Sequence, residues 1–471
     1  MTELISDVVL LGGRTTAAPR EDYVIVPAED EPTLRAYREL RRDVFVRDQA
    51  LFEHTDRDEV DEDPRCTVLV ARLPDGTVLG GVRVHPATPG RDIGWWRGSR
   101  LVVVPTERTS RGLGAALVRA ACALAESSGA LRFDATVQAR HEHLFARLGW
   151  QRRAEVALGG QPHVVMDWPI ARIQRLAAAT KAPLGGLLGE LLGGPMGGGG
   201  AGFVGDDAAP VPGSDLVAAC DAILPSMVER DPEWAGWCAV LVNVNDLYAM
   251  GARPVGLLDA IGARDASFAR RVLRGIHEAA TAWGVPVLGG HTQLGVPGAL
   301  SVTALGRTSA PVPGGGGRTG QRVRVTADLG GGWRPGYTGA QWDSSSSRTP
   351  EQLQALAAVV PGLAPAAAKD VSMSGLVGTT GMLAEASGCR AVLDVADVPS
   401  PDSAKPGDWL TCFPGFGVVT TEDRAAPYTP PDFLTSRPCG ELVEGVGVGL
   451  RWPDGVVTDA VTDTVTGLGA A

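Results

Sequence analysis

This sequence predicts an α/β (α+β) protein of two tandem domains, and three observations lead there. Its 471 residues exceed what one ordinary core organises. Strand-like runs alternate with helix-like runs along most of the chain. Near residue 170 a strand-like HVVMDWPI gives way to a helix-like ARIQRLAAATKA, and then to PLGGLLGELLGGPMGGGGAG, too glycine-rich to be regular throughout. The expected layout is a first domain over 1–168, a connecting helix over 169–183, and a second domain in two parts, 184–310 and 321–471. The turn PVPGGGGRTGQ parts those two halves.

The elements of the first domain follow in order. LRAYRELRRDVFVRDQALF has helical periodicity, and CTVLVARL and TVLGGVRVHP are strands joined at PDG. RLVVVP is a third strand, SRGLGAALVRAACALAESSG a long helix, LRFDATV a strand and HEHLFARLGW a short helix before the closing strand. In the second domain LVAACDAI is a strand ending near Asp221. WCAVLVNVNDLYAMGARP reads as a buried strand stopping at Asn243–Asn245, with a short helix opened by Asp246. VPVLGGHTQ is a strand ending at Gly289, Gly290 and His291, and KDVSMSGLVGTTGMLAEASG puts Lys369 and Asp370 at the start of a helix. GYTGAQWDSSSSRTP is polar and small, a surface loop able to order over a ligand.

Bulk properties narrow the class. Hydrophobic residues at 44% with charged residues at 21% indicate globular protein, not disorder. A net charge of −11 argues against nucleic acid as a partner, but not against small anions held by glycine loops or a metal. The start MTELISDVVLLGGR lacks the pattern of a signal peptide, and no run of about eighteen apolar residues predicts a membrane span. Seven cysteines, none in CxxC, fit reduced thiols in the cytoplasm. Lysines are scarce: only Lys181, Lys369 and Lys405, which reads as codon bias toward arginine.

In RLVVVPTERTSRGLGAAL a strand ending at Val103 runs into a turn and a helix start. The N–H groups from about Arg111 to Ala115 face outward there, and Gly112 and Gly114 let a diphosphate reach the main chain. This core, with the FDATV strand and the LFARLGW helix, resembles the GCN5-related N-acetyltransferase (GNAT) family over residues 23–168. The resemblance implies that Val103, Arg108, Arg111, Gly112, Leu113, Gly114 and Ala115 hold the pyrophosphate of acetyl-CoA or another acyl-CoA. Amine attack on a thioester needs a base. The acid-rich HTDRDEVDEDP and the residue before it offer Glu53, Asp56, Asp58, Glu59 and Asp61, with Glu53 and Asp58 the candidates for the base, or else form a solvated loop. Phe145 stands where the family places a proton-donating tyrosine. His141, His143 or water then substitutes, or the domain binds acyl-CoA without efficient transfer.

Each aspartate of the second domain has a local explanation, as helix cap or turn residue. Gathered at one sheet edge, however, such carboxylates repel unless a cation lies among them, and Mg²⁺ suits oxygen donors and ATP phosphates. GDDAA, VNVNDLYAMGARP, GGHT and KDVSMSG resemble the superfamily of aminoimidazole ribonucleotide (AIR) synthase, a two-part α/β domain, over about residues 184–450. By that resemblance Asp206, Asp207, Asp221, Asp246 and Asp370 ligate the metal of Mg-ATP. Asn245, Gly289, Gly290, His291 and Lys369 line the nucleotide site, and the chain forms a homodimer through this domain. Met373 stands where thiamine-monophosphate kinases of the superfamily carry a second aspartate, which speaks against thiamine phosphate. Residues 185–205 lack the Cys and Lys of selenophosphate synthetases, and the chain ends TGLGAA, without the cysteine tail of the hydrogenase maturation protein. The two halves together resemble GNAT/AIR synthase-related fusions of nitrilase gene clusters.

The functional expectation is a bifunctional enzyme acting on small metabolites: acyl transfer from acyl-CoA in one half, Mg-ATP-dependent phosphoryl transfer in the other. Two alternatives stand beside it: a regulatory scaffold that binds both ligands without turnover, and a chain in which only the ATP half is active.

Overall fold

A computed structural model describes residues 23–104, 112–192, 200–423 and 428–471. They form an α/β protein of two compact units. One is built from residues up to 169 except 88–95 and 129–131; the other from those two short segments and everything after 169.

In the first unit β1 (Val24–Pro27) leads to α1 (Glu31–Arg42), whose N-cap Asp30 accepts the Thr33 N–H at 2.7 Å. The helix continues into one π-helical turn, Asp43–Asp48. Then come β2 (Thr67–Arg72), β3 (Val78–Pro86), β4 (Trp95–Val103), α2 (Leu113–Ser127), β5 (Arg132–Gln138), α3 (Glu142–Arg147), β6 (Gln151–Leu158) and β7 (Gln161–Trp168). The sheet order is β1-β2-β3-β4-β5-β7-β6. Helix α2 buries Leu113, Leu117, Val118, Ala121, Cys122 and Ala125, a stripe at i, i+4 spacing. One closing strand was expected where the chain makes the β6–β7 hairpin. QRRAEVAL is almost wholly exposed, so β6 carries no buried alternation for a sequence reading to find.

The second unit begins with α4 (Arg172–Thr180) and α5 (Leu184–Leu192). The glycine-rich stretch thus starts as helix, because its leucines outweigh its glycines there. Next are β8 (Ala209–Pro210), β9 (Leu216–Ala222), α6 (Pro225–Arg230), α7 (Pro232–Ala249), β10 (Arg253–Ala263), α8 (Ala266–Trp283), β11 (Val287–Leu294) and β12 (Ala299–Arg307). They form a sheet of order β11-β10-β12-β9-β8, against which α7 and α8 pack. Those helices approach closely: a Cβ on Gly275 would lie 1.9 Å from the Glu233 carbonyl oxygen, so only glycine fits.

Helix α7 corrects the expected strand. WCAVLVNV is helical and buried on nearly every face, and an all-apolar run has no period that separates helix from strand. Asp246 therefore sits in the last turn of a helix rather than opening one.

The remaining elements are β13 (Arg322–Ala327), β14 (Gly332–Trp333), β15 (Gln341–Asp343), α9 (Pro350–Ala355), α10 (Val359–Leu363), β16 (Ala367–Asp370), α11 (Gly375–Ala386), β17 (Arg390–Asp394), α12 (Pro406–Thr411), β18 (Phe413–Pro414), β19 (Gly417–Glu422), β20 (Thr435–Val443), β21 (Val448–Arg451) and β22 (Val457–Val461). A seven-stranded sheet runs β16-β19-β13-β20-β17-β21-β22, and a small one β14-β15-β18. The expected surface loop at 336–350 is only partly one: Trp342, Ser344 and Ser345 are buried. Buried Glu385 on α11 gathers the chain after β22, accepting the N–H groups of Val465, Thr466 and Gly469 and the Thr466 hydroxyl at 2.8–3.1 Å. All seven cysteines are free thiols, five of them buried. Among the described residues no helix is long and apolar enough to cross a membrane.

Candidate functional site

Strand β16, the last turn of α7 and the segment before β8 meet at one place. Carboxylate oxygens of Asp207, Asp246 and Asp370 lie within 4.8 Å of one another. Asp246 and Asp370 are buried, and Asp221 at the end of β9 hydrogen-bonds Asp246. Burial, then the charges of Asp370, Asp221 and Asp207, push the Asp246 carboxyl well above the usual carboxylate range. Burial and the charges of Asp207 and Asp221 do the same to Asp370, against the opposing charge of Lys369. Asp207 and Asp221 are also raised, chiefly by burial.

Acidic groups this close, with oxygen donors only, fit a hard divalent cation such as Mg²⁺, which would relieve the repulsion that otherwise forces protonation. Asp207, Asp246 and Asp370 would hold it, with Asp221 at its edge.

Two expected contributors have other tasks. Asp206 points away from the cluster, accepting the Gly314 N–H at 2.6 Å and Lys369 Nζ at 2.9 Å. Lys369 is buried at the end of β16, not at a helix start; the turn Val371–Ser374 intervenes before α11. Its ammonium donates to Asp206, to Asp207 at 2.8 Å and to the Gly205 carbonyl at 3.4 Å, which uses its three donors. Burial alone would lower its pKa, but the two carboxylates outweigh that and keep it charged. Lys369 is thus a fixed counter-charge that holds Asp207, not an arm toward a phosphate.

Asn245 is also buried, its amide donating to the Gly415 carbonyl at 3.2 Å, and is not part of the cavity wall. Gly289, Gly290 and His291 do not end a strand. They lie inside β11, an exposed edge strand three places from β9 in the sheet, and line no part of this cavity.

The cluster opens on a cavity of about 1210 Å³. Lys181, Arg175 and Arg230 reach its wall, as do Gly336–Gln341, Leu184, Leu188, Thr466 and Leu468. Arg230 stacks 3.8 Å from the Tyr337 ring centre and donates to the Gly336 carbonyl at 3.1 Å. Sequence reasoning named Gly336–Gln341 as part of a loop able to order over a ligand and passed over the others. The one available signal was the rarity of lysine: two of the three lysines, Lys181 and Lys369, stand at this site.

The first unit has its own cavity of about 320 Å³, bounded by β4, β5, α2 and the π-helical turn. Val103 and Gly114 line it, and Gly112 caps α2 with φ +99°, a left-handed conformation suited to glycine. Leu113 instead turns into the core, and Ala115 is half-buried. Arg108 and Arg111 lie outside the described residues. His141 lines the cavity, whereas Glu53 and His143 are exposed and do not. Burial and then the Arg140 charge lower the His141 pKa, and Arg140 Nε donates to its Nε2 at 3.2 Å. Phe145 also lines the cavity, edge-on to Trp150 with ring centres 5.3 Å apart.

Asp58 does not line the cavity, and within a largely exposed acidic run it is ion-paired while its side chain stays 40% exposed. It caps the 3₁₀ turn Glu59–Glu62 and pairs with Arg83 at 2.5 and 2.9 Å and with Arg100 at 3.0 Å. Beside it Asp56 and Asp61 hold the buried Arg41 guanidinium, at 2.6 and 3.0 Å. Burial would raise the Asp58 and Asp61 carboxyls, but hydrogen bonds and charges from Arg83, Arg41 and Arg100 outweigh it. Asp58 is lowered and Asp61 is held down at about 2.

Comparisons with known proteins fall on the same segments. The profile of the N-terminal domain of AIR synthase related proteins matches residues 205–308, and that of their C-terminal domain matches 319–427. The acetyltransferase (GNAT) family profile matches residues 34–150. An uncharacterized protein of Synechocystis is 36% identical over 223 residues, spanning 46% of this chain and 69% of that protein. Another, of Methanocaldococcus jannaschii, is 31% identical over 225 residues, 45% of this chain and 68% of that protein. Among solved structures, thiamine monophosphate kinase from Aquifex aeolicus is similar at 22% identity with a TM-score of 0.40, covering 54% of this chain and 92% of that one.

Proposed function

The chain belongs to the AIR synthase related family, with a GNAT acetyltransferase-family domain ahead of it, and from that premise we propose a bifunctional enzyme of small-molecule metabolism. The second unit would transfer a phosphoryl group from Mg-ATP, and the first would acylate an amine from acyl-CoA. The observation that carries the first part is the convergence of Asp207, Asp246 and Asp370 at the wall of a cavity of about 1210 Å³, somewhat above the usual range for small-molecule sites. Mg²⁺ held there would neutralise charge and anchor the triphosphate. The chain's own groups do the rest: Lys369 and Asp206 lock Asp207 in place, and Arg175, Lys181 and Arg230 put positive charge on the same wall.

Titration calorimetry of a non-hydrolysable ATP analogue tests this reading. Binding should require Mg²⁺ and fall at least about a hundredfold in Asp246→Ala, consistent with loss of a metal ligand. Metal-independent binding, or none in the wild type, rejects it.

For the first unit, the helix start at Gly112–Gly114 beside a cavity supports acyl-CoA as ligand. His141, which lines the cavity together with His163 and has a lowered pKa, is a group available to take the amine's proton. A second reading, acyl-CoA binding without turnover, is favoured by Phe145, which cannot donate a proton, and by Asp58, which is already paired. A CoA-release assay with an amine panel separates them. Turnover lost in His141→Ala supports transfer, and no turnover with intact CoA binding supports the second reading.

A cytoplasmic homodimer completes the proposal. Exposed Val287, Leu288 and Leu294 on edge strand β11, with Leu258 on β10, offer an apolar sheet edge for a second copy. Light scattering that reads a monomer removes this part.

A further inference from the structure

The cavity of the first unit has a shape that acetyl-CoA does not explain. Its rim is accessible: Thr136 is exposed and Leu158 is 40% exposed. Its floor is deep in the core, made by Val118 and Ala121 of α2, Phe133 and Ala135 of β5, and Trp150, all buried. Side chains one turn apart on α2 and two apart on β5 share that floor, as helix and strand periods require.

Small residues keep the space open. Gly98 on β4 is not in the left-handed region, so its backbone does not demand glycine. A Cβ there would stand 3.2 Å from the Phe133 ring and 3.9 Å from the Ala135 methyl. The glycine at 98 and the alanines at 121 and 135 therefore serve volume, not conformation. The lining contains no carboxylate, and its polar members away from Thr136 and His141 are already engaged. Gln49 and Gln138 bond each other at 2.7 Å, Ser99 accepts from Arg83, Arg100 donates to the Asp56 carbonyl and to Asp58, and His163 Nδ1 lies 2.9 Å from the Gln161 carbonyl. What enters the floor must be uncharged and apolar.

We infer that this pocket takes the acyl chain of an acyl-CoA longer than acetyl. A dry cavity of about 150 Å³ already holds a six-carbon ring, and here about 320 Å³ is available to the acyl group and the adjoining pantetheine arm. A chain of about four to eight carbons fits that space on the same scale. A lone methyl would leave the floor without contacts, forfeiting dispersion along Phe133 and Trp150. The inference rests on the acyl-CoA reading of the first unit and adds the ligand class to it.

Calorimetry on the full chain with CoA, acetyl-CoA and hexanoyl-CoA tests it. Each buried methylene contributes up to about fourfold in affinity, so hexanoyl-CoA should bind at least about tenfold tighter than acetyl-CoA. Ala121→Leu, which puts a branched side chain on the floor, should cut that ratio about tenfold. Phe145→Ala, which enlarges the pocket, should move the preference toward octanoyl-CoA, so a poorly folding Ala121 variant does not leave the matter open. Acetyl-CoA binding as tightly as hexanoyl-CoA, with CoA itself bound, overturns the chain-length inference alone. Absence of binding by CoA and by every acyl-CoA overturns the acyl-CoA reading beneath it.

Discussion

Both units gather aspartates into a knot that is part buried and part exposed, and the two knots are built on opposite terms. In the first, Asp56, Asp58 and Asp61 alternate with Arg41, Arg83 and Arg100, charge for charge. In the second, Lys369 pairs with Asp206 and Asp207, Lys181 acts on Asp221 through its charge alone, and Asp246 and Asp370 face other carboxylates with no ion pair of their own among the described residues. The same side chain is held down at about 2 at Asp61 and driven well above its usual range at Asp246. Burial raises both; the neighbours decide the sign. A balanced knot belongs to the frame, while an unbalanced one is poised for a missing positive charge and marks a site.

Breaking the balanced knot should have the largest effect. Asp61→Ala leaves Arg41 and Arg83 buried with a carboxylate removed, and should cost the first unit about 3–5 kcal/mol in urea unfolding. Asp246→Asn should do the reverse on a smaller scale. Replacing a carboxyl whose charged form burial and its neighbours disfavour should stabilise the metal-free protein by about 1 kcal/mol, while abolishing the rise in Tm on adding Mg²⁺. If Asp246→Asn instead destabilises as Asp61→Ala does, the two knots are alike and the contrast fails.

The smallest effect is a difference in pH slope, read from thermal melts between about pH 3 and 8 with chelator. Asp61 is depressed below its ordinary 3.8, so its contribution is complete above that value and fades as pH falls toward 2. Asp246 and Asp370 are raised, so in the absence of metal their contribution is complete below 3.8 and is lost as pH climbs through their folded-state values. Opposite slopes for the two unfolding transitions sharpen the comparison; parallel slopes break it.

The sequence made the carboxylates legible but not their partners. Asp207, Asp246 and Asp370 stand out because aspartates follow apolar or glycine-rich runs. Nothing local reveals that Lys369 lies against Asp206, 163 residues away, or that Asp58 meets Arg83 and Arg100. Likewise the GGHT segment carries the residue types of a site but lies on an edge strand, a position fixed by sheet order and not by composition. Helix α7 was hidden by its own burial: with apolar residues all round there is no stripe to count, and only the distance from Pro232 to Gly251, too long for one buried strand, could have corrected it. The α/β alternation and the turn between the two later sheets were readable because they rest on period and glycine content alone.

The Glu385 anchor has a consequence for how this protein is made. Asp370, the last member of the acidic knot, emerges from the ribosome before Thr466, which Glu385 sets into the same cavity wall. At about 5–20 residues per second the interval is roughly 5–20 seconds. Through that time the nascent acidic knot stays in contact with water, where its charges are screened and tolerable. The wall that completes the cavity goes up last, so an incompletely synthesised chain displays aspartates without the enclosure that makes them a site.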